Sequence, residues 1–198
     1  MTQAAAAPDW RKRKKAATLR RIQDHAMRLF LDKGYEATTV EEIAAAAGVS
    51  HMPFFRYFPT KDDVALTDDY DPMIADLIAA RPPDEPSVEK IRHALVDGLA
   101  QVYAADREAM LIRNRLVCRT PALRARLWES QDAAQQLITQ ALAIHPGHLE
   151  TALRTRVVAA ACLAAATTAV LTWAEGDGSA ELPDLINQAF AALRDLNG

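Results

Sequence analysis

His51, Met52, Phe55 and Arg56 fall within one short run, SHMPFFRYF, and on a helix they share one side. They offer an imidazole, a guanidinium and two apolar groups, with no paired carboxylate and no metal-ligand spacing beside them. That set suits non-covalent reading of base edges in a major groove, where thymine methyls take apolar contact and the other edge atoms take hydrogen bonds. Phe54 and Phe58 stand four apart and should point the opposite way, into a core. An outward Met and Phe on one face need something to cover them.

The elements that position this face are written on either side of it. Thr39 followed three residues later by Glu42 has the form of a capping box. It opens a short Ala-rich helix in which Ala44 faces the crossing point. Gly48 ends that helix by allowing a positive φ, and Ser50 is a good N-cap for the next. Two helices joined by a tight Gly-containing turn predict a helix-turn-helix, with the second helix over 50–57. Pro53 sits at the third helical position, where a missing N–H costs little. Upstream, the spacing of Leu19, Ile22, Ala26, Leu29 and Phe30 predicts a helix over 16–33, closed by Gly34. Ile43, Val49, Phe54 and Phe58 are its expected core partners.

The run TTVEEIAAAAGVS followed by FFRYFPTKDD resembles the DNA-binding domain of the TetR family of bacterial transcriptional regulators. The likeness spans about 18–66. It implies an all-α protein, with an N-terminal three-helix helix-turn-helix domain joined to a C-terminal helical bundle for ligand binding and dimerisation. It also implies phosphate contacts from Tyr57 and Lys61. A helix start agrees with that role for Lys61, because the N-terminal dipole favours an anion. Tyr57 reads equally well as a core residue with only its hydroxyl exposed. With Thr39 and Ser50 at the openings of the two helices, these residues make up the expected DNA-binding set.

Composition supports the helical reading. Half of the 198 residues are apolar, glycine is scarce at 7, and strand-type alternation is nearly absent. The net charge of −3 hides an asymmetry: residues 1–66 hold 11 Lys/Arg against 8 Asp/Glu, and the remainder 12 against 18. A basic front and an acidic rear suggest that one end meets a polyanion. Between residues 11 and 28 there are 8 basic residues against Asp24 alone. The expected domains are a disordered basic arm over 1–15, the helix-turn-helix domain over 16–66, and the ligand-binding and dimerisation domain over 67–198. In the arm, Arg11, Lys12, Arg13, Lys14 and Lys15 are expected to lie along DNA phosphates.

Several other functions are disfavoured. Cys118 and Cys162 are isolated and read as reduced structural thiols. His145 and His148 in HPGH lack a third ligand. The acidic group Asp62, Asp63, Asp68, Asp69 and Asp71 lacks the glycine and bidentate Glu of a calcium loop. No Gly-rich phosphate loop or nucleophile elbow is present, so no enzyme, metal or cofactor is expected. The apolar run over 157–173 is short for a bilayer and predicts a buried helix. Without a signal-peptide core at the N-terminus, the protein is expected to be soluble and cytoplasmic, with no membrane partner.

The second half reads as a bundle. A helix over 61–80 should break near Asp71 at Pro72; the resemblance makes this the element through which a ligand signal would cross. After the break at 81–86, Ser87 caps a helix carrying Val88, Ile91, Leu95, Leu99 and Val102. A short helix over 107–119 follows, and then helices over 121–143, 149–175 and 182–196. Apolar residues all round the fourth of these need cover from a second copy. The small residues Ala161, Ala165 and Thr168, with Phe190, are the expected contacts of a homodimer. The resemblance places an effector cavity in this half, and Leu99, Met110, Asn114 and Val117 are its candidate lining. Asn114 reads either as a hydrogen-bonded core residue or as a polar group in a pocket. A looser likeness over 111–129 points to members that sense acyl-coenzyme A or lipids. The expected function is a ligand-responsive repressor bound to a palindromic double-stranded DNA operator and released by a small-molecule effector. An activator or architectural DNA-binding protein with the same motif is the alternative.

Overall fold

The computed structural model describes residues 9–67, 70–143 and 152–195; the side chains of residues 9, 11, 12, 129 and 130 lie outside that description. Helix is the one regular structure among the described residues, and the chain divides into two compact units, Met1–Leu66 and Thr67–Gly198.

The first unit contains α1 (Asp9–Lys33), α2 (Val40–Ala46), α3 (His51–Tyr57) and α4 (Lys61–Leu66). Ile22, Ala26 and Phe30 recur every four residues along α1 and are buried with Ile43, Phe54, Phe58 and Val64. The capping box is complete: the Glu42 amide donates to Thr39 Oγ1 at 3.3 Å and the Thr39 amide donates to Glu42 Oε2 at 2.9 Å. Gly34 and Gly48 both take positive φ, 90° and 62°, which an L side chain adopts only under strain. Ser50 occupies the N-cap of α3 without a capping bond from its hydroxyl.

One departure matters for function. The segment expected to be a disordered arm is helical from Asp9 onward; residues 1–8 lie outside the described residues. Lys, Arg and Ala are good helix formers. Extending a helix already nucleated by the packed 22–30 segment adds one bond per residue without a new nucleation cost.

The second unit holds α5 (Asp71–Ala79), α6 (Ser87–Arg119), α7 (Pro121–Ala143), α8 (Ala152–Glu175) and α9 (Leu182–Asp195). The helix expected over 61–80 is broken, as α4 ends at Leu66 and Pro72 stands in the first turn of α5. The two helices expected between 87 and 119 are instead one, of 33 residues. Residues 103–106 hold no glycine or proline to interrupt it, and Gly98 lies where α5 crosses. A Cβ there would come within 2.4 Å of Ile74 Cδ1 and 3.3 Å of Leu77 Cδ1. The turn around His145 and His148 lies outside the described residues.

Around α6 the core gathers Ile91, Ala94, Cys162, Trp173, Ile186 and Phe190. Its lower end is held by Arg81, which donates to both oxygens of Glu85 at 2.7 and 3.0 Å. That hydrogen bond, working against burial, keeps the Glu85 carboxyl below its ordinary value. The α8–α9 turn is clamped by Arg107, whose Nη2 donates to Gly178 O at 2.7 Å.

The close passage of α5 over Gly98 makes a direct prediction. Gly98→Leu should destabilise the chain by about 1–3 kcal/mol through overpacking, read as a lowered midpoint in urea with α-helical circular dichroism as the signal.

Candidate functional site

The face predicted from sequence is assembled on α3. Phe54 and Phe58 are wholly buried, so the opposite side turns to solvent: Met52 is 79% and Phe55 38% exposed, and His51 and Arg56 are exposed too. His51 stacks edge-on against Phe55 with centroids 4.6 Å apart. Its Nε2 lies 3.4 Å from Glu41 Oε1 on α2. The Glu41 carboxyl is held below its ordinary value first by backbone hydrogen bonding, then by Thr39, with His51 adding a smaller part. Arg56 lies over the half-buried Tyr57 ring, 5.2 Å from its centroid. Pro53 is accommodated in the first turn of α3.

On the N-terminal part of α1, Arg13, Lys14 and Lys15 are exposed, and Lys14 is 6.0 Å from the Trp10 ring centroid. Arg11 and Lys12 belong to the same helix; their side chains lie outside the description. Thr39 spends its hydroxyl on the capping box, while Ser50 is exposed.

Lys61 is placed differently from its expected phosphate role. Its ammonium donates to Tyr35 O at 2.9 Å and Thr38 O at 3.1 Å, and stands 4.1 Å from the Tyr35 ring centroid. It closes the carbonyls of the α1–α2 connection instead of facing outward. Sequence reasoning missed two of its neighbours. Thr38 is buried, its hydroxyl donating to Gly34 O at 2.8 Å, and the Tyr35 hydroxyl bonds Asp62. A buried-side Thr directly before a capping Thr was the available signal.

In the second unit Leu99, Met110 and Val117 are buried within the core. Asn114 is half-buried, and its Nδ2 donates to Met110 O at 2.8 Å. The described cleft, about 520 Å³, is lined by other residues, among them Val88, Val157, Val158, Ala161 and Leu193. Ala161 and Ala165 are half-buried and Thr168 is exposed, its hydroxyl bonded to Ala164 O at 2.8 Å. Phe190 requires correction as an interface residue: it has no exposed surface and fills the core between α6, α8 and α9. On α8 one face is buried through Ala159, Cys162, Ala166 and Trp173. The other leaves Leu153 70% and Val157 57% exposed, with Ala164 and Thr168 continuing the line. By length and composition α8 is apolar enough to cross a membrane, but its inner face belongs to the core.

This arrangement has counterparts among known proteins. A family model described as bacterial regulatory proteins, tetR family, matches residues 22–66, and one described as the MftR C-terminal domain matches residues 85–196. The HTH-type transcriptional regulator TcmR of Streptomyces glaucescens is 32% identical over 161 residues, 77% of this chain and 71% of that protein. Among solved structures, FadR of Thermus thermophilus, a TetR-family transcriptional repressor in complex with lauroyl-CoA, is 25% identical. It matches with a TM-score of 0.50 over 88% of this chain and 92% of that one. The fatty acid degradation regulator FadR of Bacillus halodurans shares the fold, with a TM-score of 0.56 at 24% identity over 89% and 94% of the two chains.

Lys61 separates two roles experimentally. Lys61→Met removes both carbonyl bonds and should lower the stability of the first unit by about 1–3 kcal/mol, measured by chemical denaturation. Unchanged stability, with affinity for every DNA sequence weakened equally, would return Lys61 to a phosphate-contact role.

Proposed function

The chain belongs to the tetR family of bacterial regulatory proteins, and from that premise we propose a ligand-responsive repressor that binds a palindromic operator as a cytoplasmic homodimer. The observation that carries this reading is the outward face of α3, where His51, Met52, Phe55 and Arg56 stand over the buried Phe54 and Phe58. In the dimer the two copies of α3 enter successive major grooves, about 34–36 Å apart. His51 and Arg56 supply hydrogen bonds to base edges, while Met52 and Phe55 supply contact to thymine methyls. Arg11, Lys12, Arg13, Lys14 and Lys15, ordered along α1, address phosphates together with Ser50 and the Tyr57 hydroxyl. With its amine turned inward, Lys61 acts by holding the α1–α2 connection in place.

The dimer is built on α8, whose exposed line of Leu153, Val157, Ala164 and Thr168 is apolar or small and lets a second helix approach closely. Ala161 and Ala165 flank that line. The likeness to the lauroyl-CoA complex of FadR supports an effector of the acyl-coenzyme A type, bound in the second unit. Release follows from population shift: the effector need only bind better to a conformation whose α3 spacing no longer fits the operator.

A mobility-shift assay on the DNA flanking the gene, with and without lauroyl-CoA, tests this. His51→Ala or Phe55→Ala should each weaken operator binding by roughly tenfold while leaving non-specific DNA affinity unchanged, in keeping with about 1–3 kcal/mol per base contact. The triple substitution Arg13→Ala, Lys14→Ala, Lys15→Ala should weaken binding to all DNA and flatten the salt dependence by about one unit for each phosphate left unneutralised. Operator preference retained in both α3 variants would overturn the assignment of the reading face.

A further inference from the structure

The first turn of α2 carries two adjacent carboxylates, and they are used differently. Glu42 is committed twice over: it accepts from the Thr39 amide at 2.9 Å and pairs with Lys33 of α1. Glu41 turns to the next helix, where its Oε1 lies 3.4 Å from His51 Nε2 on the outward face of α3. Backbone hydrogen bonding first, and Thr39 second, hold the Glu41 carboxyl below its ordinary value and keep it charged at neutral pH.

Stability does not account for this pair. The His51 and Glu41 side chains are 55% and 71% exposed, and an ion pair so open to water contributes little. A carboxylate beside a face that meets DNA also works against affinity, because the phosphates repel it. What the pair does change is the imidazole. A carboxylate only accepts hydrogen bonds, so the proton of a neutral ring beside Glu41 belongs on Nε2. Nδ1 is then the nitrogen with the lone pair, and no protein group engages it among the described residues. The edge-on contact with Phe55 further restricts the ring. Arg56, the other polar group on that face, lies over Tyr57, and Glu41 is the ionisable partner of His51 among the described residues.

In a major groove the position of that one proton selects the base. A lone pair accepts from the exocyclic amines of cytosine and adenine, whereas a ring N–H would donate to N7 and O6 of guanine. We propose that Glu41 is a positioning residue for base recognition: it holds His51 as the Nε2–H tautomer, so that Nδ1 accepts from an amine-bearing base and disfavours guanine. The proposal rests on α3 being the operator-contacting helix, and adds the class of base that His51 takes. Exclusion of water from the bound interface strengthens the Glu41–His51 contact, so the tautomer is fixed most firmly once the groove is engaged.

Two measurements on the full chain test it, the first without DNA. Nitrogen NMR of histidine-labelled protein at about pH 8, where an ordinary imidazole is neutral, should show His51 protonated on Nε2 and bare on Nδ1, with the His51→Ala spectrum identifying its signals. Glu41→Lys places a donor where the acceptor stood and should reverse the two nitrogens. The second is selection from a randomised duplex library, run in parallel with His51→Ala to locate the position that His51 reads. There the unaltered chain should favour cytosine over guanine about tenfold. Glu41→Gln, whose amide oxygen can take the same proton, should keep that preference, and Glu41→Lys should favour guanine. The readout is a ratio of bases, so the general gain in DNA affinity from a new cation does not enter it; thermal melts confirm that each variant is folded. A His51 ring protonated on Nδ1 in the unaltered chain, or a selected operator whose base preference is the same in Glu41→Lys, would overturn this proposal alone. Selection of no sequence by the unaltered chain would overturn the operator reading and this proposal with it.

Discussion

Phe54 on the seven-residue α3 and Phe58, the extended residue that caps its C-terminus, are both without exposed surface. In so short an element, two inward aromatics four apart fix the rotation about the helix axis. Turning α3 by one residue would drive Phe55 into the core and bring Phe54 out. Each buried Phe contributes about 1.5–3 kcal/mol, so the rotation is set by packing against α1 and α2, not by α3 itself. The outward placement of His51, Met52, Phe55 and Arg56 follows from that packing. The surrounding devices serve the same constraint: the Thr39–Glu42 box fixes where α2 begins, Gly48 fixes the turn, and Lys61 ties down the carbonyls of Tyr35 and Thr38.

In the second unit a comparable part is played by Arg107 at mid-length in α6. Its guanidinium donates to the Tyr103 hydroxyl at 3.1 Å and to Gly178 O at 2.7 Å, and stands 5.8 Å from the Trp173 ring centroid. Trp173 Nε1 is buried without a hydrogen-bond partner among the described residues, a cost of about 1–3 kcal/mol that the stacked cation partly offsets. The α8–α9 turn needs such a clamp because it is strained: Asp177 takes φ 54° beside Gly178 at 71°. Asp177 is drawn there by Arg115 at 3.0 Å and Arg119 at 3.6 Å. Those arginines thus meet at the turn and hold the helix pair, α8 and α9, against the long helix.

What could be read from the sequence was whatever local chemistry decides. Thr39 with Glu42, Gly34, Gly48 and the Phe54–Phe58 pair each name their own conformation within a turn of chain, and each is found as read. The misreadings share a cause in tertiary contact. Apolar spacing falters after Val102 and suggests that α6 divides, yet no breaker stands there and Arg107 and Tyr103 face the α8–α9 turn. Lys61 looks like a free cation because nothing in its neighbourhood announces that two carbonyls 23 and 26 residues earlier will meet it. Phe190 is a different case, because α9 buries Leu182, Ile186 and Phe190 at four-residue spacing. That periodicity is legible and assigns Phe190 to the core without any knowledge of the tertiary structure. The cleft is not legible at all, since its walls come from three helices separated by most of the domain.

The helical start of α1 changes the physics of the proposed complex more than any other departure. A disordered arm would lose about 1–2 kcal/mol of backbone entropy for each residue ordered on DNA, which would consume much of the gain from each phosphate contact. Residues carried on a preformed helix avoid that loss, so Arg13, Lys14 and Lys15 are held at a fixed spacing of about 1.5 Å per residue. A rigid helix about 10 Å across cannot follow the floor of a minor groove only about 6 Å wide. In the proposed complex the basic segment is therefore kept from the minor-groove floor and given to phosphates, which carry no sequence information. Discrimination in that proposal is assigned to the α3 face, whose four side chains are held outward by the burial of two phenylalanines.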